Sequence, residues 1–167
     1  YKAGLLSYGG EWTFQWIDHP MTPLDRPTLE KSADDLRFLT GSTPLNDAID
    51  YVGKKYFTPS ANRALIIISD GKTEPHPVLD TAVKMAYGGN LCIHTIQVNC
   101  DPGGGKLLAD LATVTPCGSF RHADSIATDT GMKQFIHDVF FQDIAVLETV
   151  SADGTRNILG IVYFDID

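Results

Sequence analysis

The chain has 167 residues, 43% hydrophobic, 10% aromatic and 20% charged, the size of one ordinary domain with a real core. It is too apolar for a disordered chain, and its longest unbroken apolar run, Ala64 to Ile68, is far shorter than the roughly 20 residues of a membrane helix. Lys plus Arg number 13 and Asp plus Glu 21, a formal charge of −8 with no basic stripe, so nucleic acid is excluded as the expected partner.

Residues 2–8 read as a buried strand, ended by Gly9 and Gly10. Trp12, Phe14 and Trp16 alternate with Thr13 and Gln15, the period-2 pattern of a half-buried strand, with core packing the commonest fate of such a set. Three prolines between His19 and Pro27 predict a loop. Leu29, Ala33 and Leu36 recur at helical spacing behind Thr28 as N-cap, and Thr40-Gly41-Ser42 breaks that helix. Pro44 suits a first helical position, and Leu45, Ala48, Ile49, Val52 and Tyr56 form one apolar stripe. The run Ala64 to Ile68 is continuous and β-branched, as in a parallel strand covered on both faces, and stops at Ser69-Asp70-Gly71.

The alternation then repeats. Val78, Ala82 and Met85 predict a helix ended by Gly88-Gly89, and Leu91 to Val98 a strand. Leu107, Leu108 and Leu111 mark a helix, with Pro102 to Lys106 before it as a loop. Ser119 to His122 is a short strand, and Met132, Phe135, Ile136, Val139 and Phe140 make an amphipathic helix. Strands and helices alternating in this way predict an α/β fold of three layers, a mostly parallel central sheet with helices on both faces. The tail departs from that pattern. Ile144 to Val150 and Ile158 to Phe164 are strand-like around the turn signal Ala152-Asp153-Gly154-Thr155, a C-terminal β-hairpin, so a boundary is expected near Gln142 between residues 1–142 and 143–167. Tyr1 opens in one strand-like run and Asp167 follows another, so both ends read as interior to a longer polypeptide; a signal peptide already removed would leave no trace.

In open α/β sheets ligands bind beyond the carboxyl ends of the strands. Asp70 ends one predicted strand there, Asn99, Cys100 and Asp101 end the next, and Thr43 lies in a loop that opens a helix. Hydroxyl and carboxylate oxygens converging on that edge suit a hard divalent cation such as Mg²⁺. The same residues have a plain structural use, Thr43 as an N-cap before Pro44 and Asp70-Gly71 as a turn.

Gly41-Ser42-Thr43-Pro44-Leu45 with Asp47-Ala48, then Ile66-Ile67-Ile68-Ser69-Asp70-Gly71, Leu91 to Val98, and Leu107 to Ala112, together resemble the von Willebrand factor type A (VWA) domain over most of residues 2–142. The resemblance implies a divalent cation at the top of the sheet, with Thr43 and Asp70 as ligands, Asp70 directly or through water. The family's Asp-x-Ser-x-Ser loop, its central first strand and the helix that follows are not in this sequence. They should precede residues 2–8, which leaves an expected hole in the sheet and an incomplete metal site. The run Asn157 to Asp167, an apolar strand into Phe-Asp-x-Asp, resembles the opening of an OmpA-like peptidoglycan-binding domain. Alternatively, Asp165 or Asp167 begins an Asp-x-Ser-x-Ser loop in a tandem or permuted arrangement.

Three cysteines, Cys92, Cys100 and Cys117, include no CxxC pair and no zinc spacing. In a parallel sheet Cys92 and Cys117 fall at one edge and Cys100 at the other, so Cys92–Cys117 is the favoured disulfide; three buried reduced thiols are the alternative. Five histidines are scattered, Gly-x-Ser-x-Gly is absent, and Pro102-Gly103-Gly104-Gly105-Lys106 fails the phosphate-loop spacing, so no enzyme is expected. The resemblance implies a non-enzymatic, metal-dependent protein-binding domain of a bacterial envelope protein in the periplasm, outer membrane or cell surface. Its partners would be a protein ligand or neighbouring subunits, with peptidoglycan reached through the following module. The alternative is a structural subunit of a large envelope assembly with no working metal site.

Overall fold

The computed structural model describes residues 2–9, 15–36, 44–56, 63–87, 90–141, 148–150 and 156–158. At its centre β3 (Arg63–Ser69), β4 (Leu91–Gln97) and β5 (Ser119–His122) form a parallel sheet in that order. Register pairs Ile66 with His94 and Ile68 with Ile96, so these four share one face, while Leu65, Ile67, Ile93 and Thr95 share the other. The β-branched content of β3 and β4 suits this pleated, largely covered geometry.

Helices α2 (Leu45–Tyr56), α3 (Pro75–Ala86) and α4 (Pro102–Thr113) cover the second face. Leu45, Ile49, Val78, Ala82, Leu107, Leu108 and Leu111 pack with Ile67, Leu91 and Ile93 into the main core. Burying each of the larger aliphatic side chains contributes about 1.5–3 kcal/mol. On the first face α6 (Asp129–Phe140) lays Phe135 and Val139 against Ile96. The order is therefore helix, sheet, helix. The helices start where their local chemistry allows. Pro75 and Pro102 open α3 and α4, Asp101 caps α4 by accepting from Gly104 N at 2.7 Å, and Thr128 caps α6 by accepting from Gly131 N at 3.0 Å.

The N-terminal part corrects the sequence at three points. β1 (Lys2–Tyr8) pairs antiparallel with β2 (Gln15–Pro23), so His19 to Pro23 are strand and not loop. Pro20 is tolerated because the register slips between Ala3 and Leu5, where a bulge asks no ladder bond of it. Helix α1 (Arg26–Asp34) begins before Thr28, with Asp25 as N-cap and Thr28 Oγ1 donating to Asp25 Oδ2 at 2.5 Å. Its expected apolar stripe is not buried: no residue of α1 is, and Leu36 beyond it is exposed. Trp12 and Phe14 lie outside the described residues, as does the side chain of Trp16.

A fourth correction concerns β3. Its run was expected to be covered on both faces, yet Ile66 is 42% and Ile68 58% exposed. Helix α6 sits over β4, and among the described residues β3 pairs only with β4. Tyr8, the last residue of β1, joins the main core and lies beside Ser69, the last residue of β3. The two strands thus end at the same edge of the molecule, and they are not hydrogen-bonded to one another.

In the tail the described residues form a hairpin, β6 (Glu148–Val150) antiparallel to β7 (Arg156–Ile158), with β7 starting two residues before Ile158. The remainder of the expected strands, including Leu159 to Asp167, lies outside the described residues. No helix among the described residues is long and apolar enough to cross a membrane.

Candidate functional site

Asp70 occupies the position expected from its sequence, just beyond the carboxyl end of β3, and is half-buried. The loop after it is tightly built. Gly71 N donates to Ser69 Oγ at 3.1 Å, Lys72 N to Asp70 Oδ1 at 3.1 Å, and Thr73 N to Gly71 O at 2.9 Å. Gly71 has φ +73°, which a side chain would strain. The loop presses on the first turn of α4 so closely that a Cβ on Gly104 would meet Asp70 O at 1.9 Å.

That contact corrects the expected loop at Pro102 to Lys106. These residues are the first turn of α4, where Gly104 allows the close approach of the Asp70–Gly71 backbone and Gly105 that of Gln97. Gln97, buried at the end of β4, fixes the entry to α4 by donating from Nε2 to Asp101 O at 2.7 Å. Between them Asn99 takes φ 76°, and its Oδ1 accepts from Cys100 N at 2.6 Å. Asn tolerates this left-handed conformation better than most residues. The carboxylate of Asp101 caps α4, whereas that of Asp70 stands at this edge in the β3–α3 loop.

Thr43 lies outside the described residues; the chain resumes at Pro44, whose carbonyl accepts from Ala48 N at 3.1 Å. Among the described residues no group of three or more His, Cys, Asp or Glu side chains is placed to hold a metal ion. A Mg²⁺ ion demands about six oxygens in octahedral array, of which Asp70 provides one carboxylate. The described residues alone therefore do not make up the implied cation site.

Tyr8 is a neighbour of Asp70 that the sequence did not single out. Burial pushes its phenol above the usual range; the Ser69 hydroxyl opposes that and the Asp70 charge adds to it. Only the shared strand ends bring residue 8 to residue 70, and no local motif signals such a pairing.

Cys92 and Cys117 are joined by a disulfide with Cα atoms 5.2 Å apart, and Cys100 is an exposed thiol. Of the histidines, His94 is fully buried between β4 and α6. Its Nδ1 lies 2.9 Å from Ser119 Oγ, its Nε2 has no hydrogen-bond partner, and its ring meets Phe135 edge-on. Burial lowers its pKa; Asp138 opposes that shift and Arg121 adds to it. The imidazole of this pair is fully buried and Ser119 is half-buried. His19, also buried, bonds through Nε2 to Thr22 Oγ1 at 3.2 Å, a structural role in the β1–β2 hairpin.

No protein-family profile matches the chain, and no curated protein matches it. Solved structures do. The conserved hypothetical protein BatB from Bacteroides thetaiotaomicron superposes with a TM-score of 0.64 at 16% identity, over 82% of this chain and 77% of that one. An aerotolerance-related membrane protein from Bacteroides fragilis, carrying multiple mutations to serines, superposes at 0.57 and 15% identity, over 80% of this chain and 75% of that one. At such identities the likeness is one of fold, and the fold of this chain is a VWA-like α/β fold.

Proposed function

We propose that this chain is a non-enzymatic protein-binding domain of a bacterial cell-envelope protein, and that it binds through the carboxyl edge of its sheet around Asp70. The carrying observation is the setting of Asp70: a half-buried carboxylate at the strand end, on a loop held rigid by Ser69, Gly71 and Gly104. Carboxyl edges are where open α/β sheets bind ligands. The envelope location draws support from the likeness in fold to a protein described as an aerotolerance-related membrane protein. Periplasm, outer membrane and cell surface all suit a chain with a disulfide. In the same reading Asn157 to Asp167 lead into an OmpA-like module that grips peptidoglycan.

Dependence on a divalent cation such as Mg²⁺ is the finer part of the proposal. Asp70 and Thr43 would be ligands contributed by this chain, and further oxygens must come from an Asp-x-Ser-x-Ser loop that the sequence does not contain. When bound, the cation would supply a positive charge for an acidic group of the partner. The second reading is a structural envelope subunit with no working metal site.

The test is retention of an envelope protein on the immobilised chain in Mg²⁺, in EDTA, and with Asp70→Ala. A partner retained in Mg²⁺ and lost in both other conditions, with Asp70→Ala unfolding in urea like the parent, is the expected result. Retention indifferent to EDTA and to Asp70→Ala would establish the structural reading. Turnover of a substrate by the purified chain would overturn both.

A further inference from the structure

Charge is divided unevenly between the two edges of the sheet. Residues 51–69 and 81–100 carry four cations, Lys54, Lys55, Arg63 and Lys84, and no Asp or Glu; the rest of the chain carries nine cations (13 − 4) against all 21 acids. Topology turns this sequence bias into a spatial one. Helices α2 and α3 each lead into a strand of the parallel sheet, so both helices end at the edge where β3 and β4 begin, opposite the edge of Asp70. The two helices run side by side. Thr81 Oγ1 donates to Asn46 Oδ1 at 2.7 Å, and in the last turns a Cβ on Gly53 would meet Met85 Sδ at 3.1 Å. Lys54 and Lys84 are the chain neighbours of that last contact, so the lysines of the two helices stand together.

Lys54, Lys55 and Lys84 are all exposed, and aromatic rings stand among them. Lys55 Nζ lies 5.1 Å from the ring centre of Tyr51 and 5.4 Å from that of Tyr56, and donates to Tyr51 Oη at 2.7 Å. Tyr87, at the end of α3, is 89% exposed, and Val83 one turn before it is exposed too. Part of this has an ordinary use, since lysines in a last turn complement the helix dipole and Lys54 pairs with Asp50. That use explains neither the two exposed apolar side chains nor the lack of acids in both segments. Lysines whose stems lie along apolar surface, and tyrosines with an apolar body and a wet hydroxyl, are the residues that settle in a lipid headgroup layer. The cations are spread over two helix ends and a strand start, which matches a layer of many anions better than one acidic side chain.

We propose that this edge docks on an anionic lipid surface, with Lys54, Lys55 and Lys84 among the headgroup phosphates and Val83 and Tyr87 at the apolar boundary beneath them. The acidic remainder of the chain is repelled by the same surface, which fixes the orientation and points the Asp70 edge away from the membrane. The proposal is independent of the binding role given to Asp70.

Flotation with vesicles tests it. The 167-residue chain is mixed with vesicles of phosphatidylcholine alone, or of phosphatidylcholine and phosphatidylglycerol in equal parts. Binding is expected to the second kind only, and to be lost at high salt. Lys54→Gln/Lys55→Gln/Lys84→Gln should weaken it about 100-fold, at about fivefold for each lysine. Lys31→Gln/Lys106→Gln/Lys133→Gln, which has the same net charge, should bind like the parent. Orientation is read with an environment-sensitive dye. On Tyr87→Cys in a Cys100→Ser background its emission should shift to the blue on the vesicles; on the natural thiol of Cys100, at the opposite edge, it should not. No binding to either vesicle, equal binding to both, equal loss in the two triple variants, or a blue shift at Cys100 and not at Tyr87→Cys would each overturn the proposal. Retention of an acidic protein through the same three lysines, with no vesicle binding, would overturn it in favour of a protein partner.

Discussion

Breaking the Cys92–Cys117 bridge should cost this domain much of its stability while leaving its fold intact. The two cysteines are 25 residues apart in sequence. For a loop of that length the chain-entropy relation, −2.1 − 1.5R ln n, gives about 12 cal/mol/K, or about 3.5 kcal/mol at 25 °C. At roughly 3 °C per kcal/mol for a domain of this size, the melting temperature should fall by about 10 °C. The native fold should survive reduction because hydrogen bonds hold the same segment. Thr115 Oγ1 accepts from Ile93 N at 2.9 Å, and Gly118 N donates to Thr115 O at 3.1 Å. Urea unfolding of oxidised and dithiothreitol-reduced protein measures the difference, with Cys100→Ser present so that the exposed thiol cannot exchange with the bridge. The reduced form should also show the larger m-value, since its unfolded state is freer to expand. A difference below about 1 kcal/mol with equal m-values would refute the entropic reasoning and show that the unfolded chain keeps residues 92–117 together without the bond.

Two further outcomes are expected. His94 is buried with its pKa lowered, so the unfolded chain takes up the proton first; stability should be full above about pH 6.5 and decline as pH falls below it. Urea midpoints at pH 7.5 and 5.5 should show this slope, and His94→Leu should flatten it; an unchanged slope would assign it to other groups. Gly104→Ala drives a Cβ into Asp70 O and should destabilise by about 3 kcal/mol or more, the scale of a severe overpacking strain. Its neighbour Gly103→Ala, whose Cβ finds only Asp101 Oδ2 at 3.4 Å, should be neutral or slightly stabilising through helix propensity. Equal effects in thermal melts would mean that the loop yields.

What could be read from the sequence followed from how local each signal was. The stripe of α2 and the run of β4 were legible because periodicity and β-branching act within a few residues. Leu45, Ala48 and Ile49 are buried as their spacing requires, as are Ile93 and Ile96. Asp70 was legible because a carboxylate after a buried strand must lie at a sheet edge. Misreadings came where tertiary context outweighed local preference. Prolines 20 and 23 signalled a loop, but pairing with β1 and a bulge accommodate both in a strand. Three glycines signalled flexibility, but the segment is helical, and Gly104 leaves the room in which the β3–α3 loop packs on α4. The exposure of Ile66 and Ile68 had no local signal, since composition cannot say which face of a strand finds a neighbour. Tyr8 beside Asp70, and Ser119 beside His94, are products of chain topology alone.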